Sequence, residues 1–136
     1  MLYVTRRETF NSAHRLFNLD WTDDKNLEVY GPCSNKNWHG HNYNLFVTVK
    51  GEMNPDTGFV VNMKLLSRII HENVIVHVDH KNLNLDVDFL KGVIPTSENM
   101  CVAIWKMLEA PINILGIQLH SVKIQETEKN YAEYLG

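Results

Sequence analysis

Little in this sequence points to nucleic acid, membrane or export. There is no basic run, and 13 Lys and Arg stand against 16 Asp and Glu for a net charge of -3. The electrostatic footprint of a nucleic-acid partner is therefore missing. No apolar stretch approaches the ~20 residues that span a bilayer. The N-terminal Met1-Leu2-Tyr3-Val4-Thr5-Arg6-Arg7 lacks the apolar block of an export signal, so a cytoplasmic location is expected. Cysteine is scarce: Cys33 and Cys101 could pair in principle, but a cytoplasm keeps thiols reduced. The absence of any other Cys/His pair at finger spacing argues against a structural zinc module. No Gly-rich dinucleotide fingerprint is present either. Repeats, low-complexity tracts and linkers are absent too. What remains is 136 residues with 44% hydrophobic and 21% charged side chains, enough for a single soluble domain over residues 1–136.

The informative stretch runs from Cys33 to Tyr43, centred on His39-Gly40-His41 and followed by Tyr43, Leu45, Val47 and Val49 at every second position. That alternation predicts a strand with one buried face. Residues i and i+2 of a strand share a face, so His39 and His41 stand side by side, ~7 Å apart, where both can reach one ion. Gly40 leaves the opposite face bare, which suits close approach by another backbone. Cys33 lies in a polar segment six positions before His39. A metal with a reactive thiol beside it is one reading; two half-exposed strand histidines and an idle cysteine is the other.

In chain order, Leu2 to Arg15 predicts a strand on which Phe10, Ser12 and His14 share a face. His14 becomes a third ligand if that strand pairs antiparallel with the one carrying His39. Asn18 to Asn37 reads as a long polar connection, a length that often carries function. A second strand is expected from about Trp38 to Met53, ending at the turn Asn54-Pro55-Asp56-Thr57-Gly58. Asn62 can cap a helix whose Leu66, Ile69, Ile70, Asn73 and Val74 follow helical spacing. Val78 to Asn84 reads as a polar break. A second helix starts at Thr96 or Ser97, bracketed by Pro95 before it and Pro111 after it. His120, Val122, Ile124 and Glu126 alternate on a third strand, Ile117 to Thr127, and Tyr131 to Leu135 forms a fourth. The expectation is α+β: a four-stranded antiparallel sheet, order ββααββ, with two helices on one face. Leu45, Val47 and Val49 then either face those helices or meet other subunits that close a barrel.

Three histidines on neighbouring strands match catalytic zinc, which keeps a position open for water or substrate. Cys33 could instead complete a closed structural site. In the catalytic case the ion acts as a Lewis acid, and a thiol beside it sheds its proton readily enough to act as a base. Asp79-His80 offers a carboxylate beside an imidazole to take that proton onward.

Five ordered segments resemble the 6-pyruvoyl-tetrahydropterin synthase / 6-carboxytetrahydropterin synthase family. They are Phe10-Asn11-Ser12-Ala13-His14-Arg15-Leu16, Cys33 with five residues before His39-Gly40-His41-Asn42-Tyr43, Asp79-His80-Lys81-Asn82-Leu83, Pro95-Thr96-Ser97-Glu98-Asn99 and Gln125-Glu126-Thr127. The resemblance implies a tunnelling fold in which trimers close a twelve-stranded barrel and stack as a homohexamer. It implies Zn2+ on His14, His39 and His41, Cys33 as the proton-abstracting thiol, and Asp79 and His80 as its relay, in sites between subunits. Glu126 matches the pterin anchor; a carboxylate can accept both adjacent N–H donors of a pterin edge. Thr96, Ser97 and Glu98 fall where the family lines the ring pocket.

The activity so implied is a zinc-dependent carbon–oxygen lyase on 7,8-dihydroneopterin triphosphate, giving 6-pyruvoyl-tetrahydropterin and triphosphate. An alternative branch makes 6-carboxytetrahydropterin and releases acetaldehyde as well. The five-residue Cys-to-His spacing favours the pyruvoyl product, and Cys33 counts against a third branch that carries glutamate there. Trp38 departs from the smaller residue expected before His39. Outside the family's activities, a non-catalytic zinc-stabilised assembly protein with Cys33 as fourth ligand is the other reading. Arg15, Lys36 and Lys81 border the motifs and are candidates for the triphosphate. Cys101 is expected to be a small core residue, and His71, His77 and His120 surface or satisfied histidines.

Overall fold

The computed structural model describes residues 1–136. Strand β1 (Leu2–His14) pairs antiparallel with β2 (His39–Gly51) over its whole length, from Leu2 opposite Gly51 to His14 opposite His39. Strand β4 (Gln118–Gln125) pairs with the other edge of β2, and β5 (Tyr131–Tyr134) with β4. On β2, Tyr43, Leu45, Val47 and Val49 are fully buried, and they share a core with Leu66, Ile70, Met100, Ile104 and Leu108 from the helices. Those strand residues face the helices within one chain. Gly40 is as close to its neighbour as expected: a Cβ there would stand 3.3 Å from the Ser12 carbonyl oxygen.

The sheet has five mixed strands, order β3-β1-β2-β4-β5, rather than four antiparallel ones. The fifth, β3 (Lys81–Asn82), lies in the stretch expected to be a polar break and pairs parallel with Ser12 and Ala13. Its docking is local: the His80 N–H donates to the Asn11 carbonyl at 2.6 Å, and the Leu83 N–H to that of Ala13 at 2.8 Å. Two residues of ladder carry no alternation, so periodicity could not reveal them.

The helices also differ from expectation. The connection read as a polar loop contains α1 (Asp23–Tyr30), capped by the Thr22 hydroxyl, and a 3-10 turn over Gly31–Ser34. Helix α2 (Met63–Ile70), capped by Asn62 as expected, continues through a π turn, His71–Ile75, into the single turn α3 (Val76–Val78). Helix α4 (Ser97–Asn113) starts at the Thr96 cap but runs past Pro111, which lies inside its last turn instead of beyond its end. A proline's missing N–H weakens only the bond back to the preceding turn, which two more residues can follow before the helix ends. On β4 the expected alternation is broken by a register shift opposite Thr48 and Val49. His120 falls out of the pairing there, and Ser121 and Val122 are both buried.

The opposite face of the sheet has no second layer in this chain. It carries the Thr5–Thr48 hydroxyl pair at 2.8 Å and the Lys123 ammonium over Phe46 and Tyr131, 4.9 Å from each ring. None of the helices is long and apolar enough to cross a membrane.

Candidate metal centre

The β1–β2 register places His14 directly across from His39, with His41 opposite Ser12. Their ring centroids are 4.5, 5.1 and 5.0 Å apart, and one ligand nitrogen from each lies within 4.8 Å of the others. Cys33 is not among that group. The His14 Nδ1 sits 2.9 Å from the Pro95 carbonyl oxygen. A carbonyl only accepts, so Nδ1 carries the proton and Nε2 presents a lone pair.

That lone pair points at a second acceptor. Glu126 Oε1 is 3.3 Å from His14 Nε2 and 3.4 Å from His41 Nε2. His39 is the clearer case, since both its ring nitrogens are buried without any hydrogen-bond partner. Burial, then the neighbouring rings, pushes the His39 pKa down; for His41 burial outweighs the pull of Glu126. Neutral imidazoles with bare nitrogens facing a carboxylate suit a divalent cation, and the backbone carbonyl behind His14 is the usual partner of a metal-bound ring.

Cys33 is partly exposed in the turn after α1. The Leu16 N–H donates to its carbonyl at 2.9 Å, two residues beyond His14. Tyr43, the next inward residue after His41, was placed on the buried face by the alternation but given no role at the site. Its hydroxyl lies 3.3 Å from His14 Nδ1, and its ring stacks on Phe10. Burial, then Glu126 and Cys33, hold the phenol well above its ordinary range, so it stays protonated.

Thr96, Ser97, Glu98 and Glu126 line one open cavity of about 580 Å³, together with Leu16, Tyr30 and residues at the start of β5. Thr96, Ser97 and Glu98 thus share a cavity with Glu126, whose carboxylate also meets His14 and His41. Asp79 and His80 are not brought in. Their side chains pair at 3.0 Å at the outer edge of β1, where the Asn11 N–H donates to Asp79. That backbone N–H and then His80 hold the Asp79 carboxyl low, against burial. His80 is 83% exposed, and no hydrogen bond or ion pair joins either residue to Cys33 or the three histidines.

Trp38 has a φ of +67°, which explains why a smaller residue suits that position. Its ring lines a separate groove with Phe17, Leu90 and Ile94, not the cavity that holds Glu126. The other histidines are accounted for: His71 meets Glu8, His120 packs on Tyr3, and His77 meets Phe89. Cys101 is buried in the core, donating to the Ala132 carbonyl, and burial pushes its thiol up to about 11.

Residues 3–136 match the family described as 6-pyruvoyl tetrahydropterin synthase. This chain belongs to that family. It is 42% identical over 133 residues to the 6-pyruvoyl tetrahydrobiopterin synthase of Pongo abelii, covering 98% of this chain and 90% of that protein. The 6-carboxy-5,6,7,8-tetrahydropterin synthase of Bacillus subtilis is 32% identical over 112 residues, covering 79% and 73%. Among solved structures, the Caenorhabditis elegans 6-pyruvoyl tetrahydropterin synthase superposes with a TM-score of 0.92 at 36% identity, covering 99% of this chain and 95% of that one.

Proposed function

We propose that this chain is a zinc-dependent carbon–oxygen lyase that converts 7,8-dihydroneopterin triphosphate to 6-pyruvoyl-tetrahydropterin and triphosphate. The observation that carries the metal-dependent reading is His39, whose two buried nitrogens have no partner while two further histidines converge on it. Buried polar atoms are rarely left unpaired without a functional reason. His14, His39 and His41 hold the ion. Once bound, zinc supplies Lewis-acid polarisation of the substrate's side-chain oxygens, which acidifies the adjacent C–H.

The remaining work falls to side chains of this protein. Glu126 accepts the paired N–H donors of the pterin edge, with Thr96, Ser97 and Glu98 forming the neighbouring wall. Cys33, as thiolate, takes the proton from the side-chain carbon; triphosphate departs, and rearrangement moves oxidation from side chain to ring. Asp79 and His80 receive the proton from the sulfur. Their separation from Cys33 in one chain fits a site shared between subunits, where the exposed His80 of one chain meets the Cys33 of the next. Assembly as barrel-closing trimers stacked into a hexamer is supported by the uncovered sheet face. It is supported too by the outer edge of β1, which β3 pairs only at Ser12 and Ala13. A cytoplasmic location completes the reading.

Greater identity to the pyruvoyl relative than to the carboxy relative, 42% against 32%, supports the pyruvoyl branch, as does the Cys33-to-His39 spacing. The test is incubation of the zinc-loaded protein with 7,8-dihydroneopterin triphosphate and identification of products by mass. Triphosphate with the pyruvoyl pterin is the expected outcome. Acetaldehyde release moves the protein to the carboxy branch, and absence of turnover with zinc bound overturns the enzyme reading.

A further inference from the structure

The proposed reaction needs Cys33 at a fixed distance from the metal, yet Cys33 sits on a short turn between helix and loop. The end of β1 supplies the restraint. His14 is a ligand; the next residue, Arg15, donates from Nε to the Ser34 carbonyl at 2.7 Å; the next, Leu16, donates from its backbone to the Cys33 carbonyl at 2.9 Å. Three consecutive residues thus hold the metal and the two carbonyls of the thiol's turn. The Arg15 guanidinium is stacked over the Phe17 ring at 4.0 Å, which limits its swing. Its backbone is clamped from both sides by Asn84, which accepts from the Arg15 N–H and donates to the Arg15 carbonyl, each at 2.9 Å. Asn84 is itself held by the Asn82 side chain, which accepts from its N–H at 2.9 Å.

We infer that Arg15, braced by Asn84, is a positioning residue that sets Cys33 against the metal centre. This rests on the reading of Cys33 as the base. A surface arginine kept for solubility needs none of these contacts. The geometry also calls for arginine specifically: a lysine ammonium has no donor at the Nε position and no planar group to lie on Phe17. Misplacing a reacting group by about 1 Å can lower a rate by roughly 100-fold while binding is unaffected.

The experiment compares R15A, R15K, N84A and C33A with the parent protein, measuring zinc content, kcat and KM separately, and hydrogen exchange at the Leu16 amide in metal-free protein. For R15A the expected result is zinc at the parental level, KM within about threefold and kcat lowered about 10- to 100-fold. Leu16 should exchange at least ~10-fold faster while α4 amides stay protected. R15K should recover less than half of the lost activity, and N84A should move kcat and Leu16 exchange in the same direction as R15A. An R15A protein with parental kcat, or with parental Leu16 exchange, overturns the inference. Full rescue by R15K overturns it as well, since charge alone would then suffice. Should R15A fold poorly, R15K and N84A carry the same two readouts. C33A separates the levels: turnover in C33A defeats the base assignment itself, whereas an inactive C33A beside a fully active R15A defeats only the positioning role.

Discussion

Strand β1 buries two polar clusters on one face, and they are opposites. At Glu8, which is 9% exposed, every partner is present: the Ser67 hydroxyl at 2.6 Å, Arg6 Nε at 2.7 Å and His71 Nε2 at 3.0 Å. At His14, six residues on, the neighbouring His39 has no partner at all and a carboxylate faces a lone pair. Both clusters are paired to β2 by the same ladder. The difference is in what completes them. A closed network of hydrogen bonds is a structural device, joining α2 to β1; an open one is a site awaiting a ligand. Burial alone does not distinguish function from architecture, whereas satisfaction of the buried atoms does.

The largest expected effect lies at the open cluster. Cys33→Ala should lower triphosphate release by at least ~1,000-fold, the scale of a lost proton-transfer group, with zinc content unchanged by metal analysis. Loss of zinc instead would place the sulfur in the ligand set and favour a structural metal. Next comes His39→Phe, which keeps a ring of similar size without nitrogens. Zinc affinity in chelator competition should fall by more than ~100-fold. Metal-free protein should be no less stable, because two orphaned buried atoms are removed, a relief of about 1 kcal/mol. A marked loss of metal-free stability would mean that His39 is satisfied after all, and the contrast with Glu8 would fail.

Glu8→Ala is the mirror experiment. It strands three donors at once, and should cost about 1–3 kcal/mol in denaturant unfolding with zinc binding intact. Arg6 and His71 are 40% and 49% exposed at their side chains and can turn to water, which keeps the figure at that scale.

How much of this was legible follows from what each feature depends on. The pairing of His14 with His39 and His41 could be read because strand alternation projects directly into space. The Thr96–Glu98 segment and Glu126 were legible only through family resemblance; they are far apart in sequence, and no periodicity links them. Strand β3 escaped because it is two residues held by backbone bonds, and α1 because its apolar residues, Leu27 and Val29, are exposed, leaving no buried stripe. Pro95 holds His14 through a carbonyl that every residue type possesses, so no side-chain pattern could announce it. The Glu8 network was equally silent: alternation puts Glu8 on the face of Phe10, Ser12 and His14, but its partners Ser67 and His71 lie about sixty residues away with no pattern linking them.

The smallest effect concerns acid, and it sharpens the comparison at the closed end. Burial opposes ionisation of Glu8, but the hydrogen bonds from Ser67, Arg6 and His71 together outweigh it and hold the carboxyl below its ordinary 4.5. A carboxyl whose folded value is depressed contributes stability above the unfolded value, and loses it as pH falls through the folded one. Glu8 therefore stabilises fully near neutrality and progressively less below about pH 4.5. In Glu8→Gln that contribution is absent at every pH. The difference in unfolding free energy between parent and variant, measured in metal-free protein, should shrink steadily between pH 5 and 3. Carboxyls away from Glu8 are common to both proteins, and their titration cancels in the difference. A difference independent of pH would show that Glu8 is held by packing rather than by charge, and the closed cluster would lose its electrostatic basis.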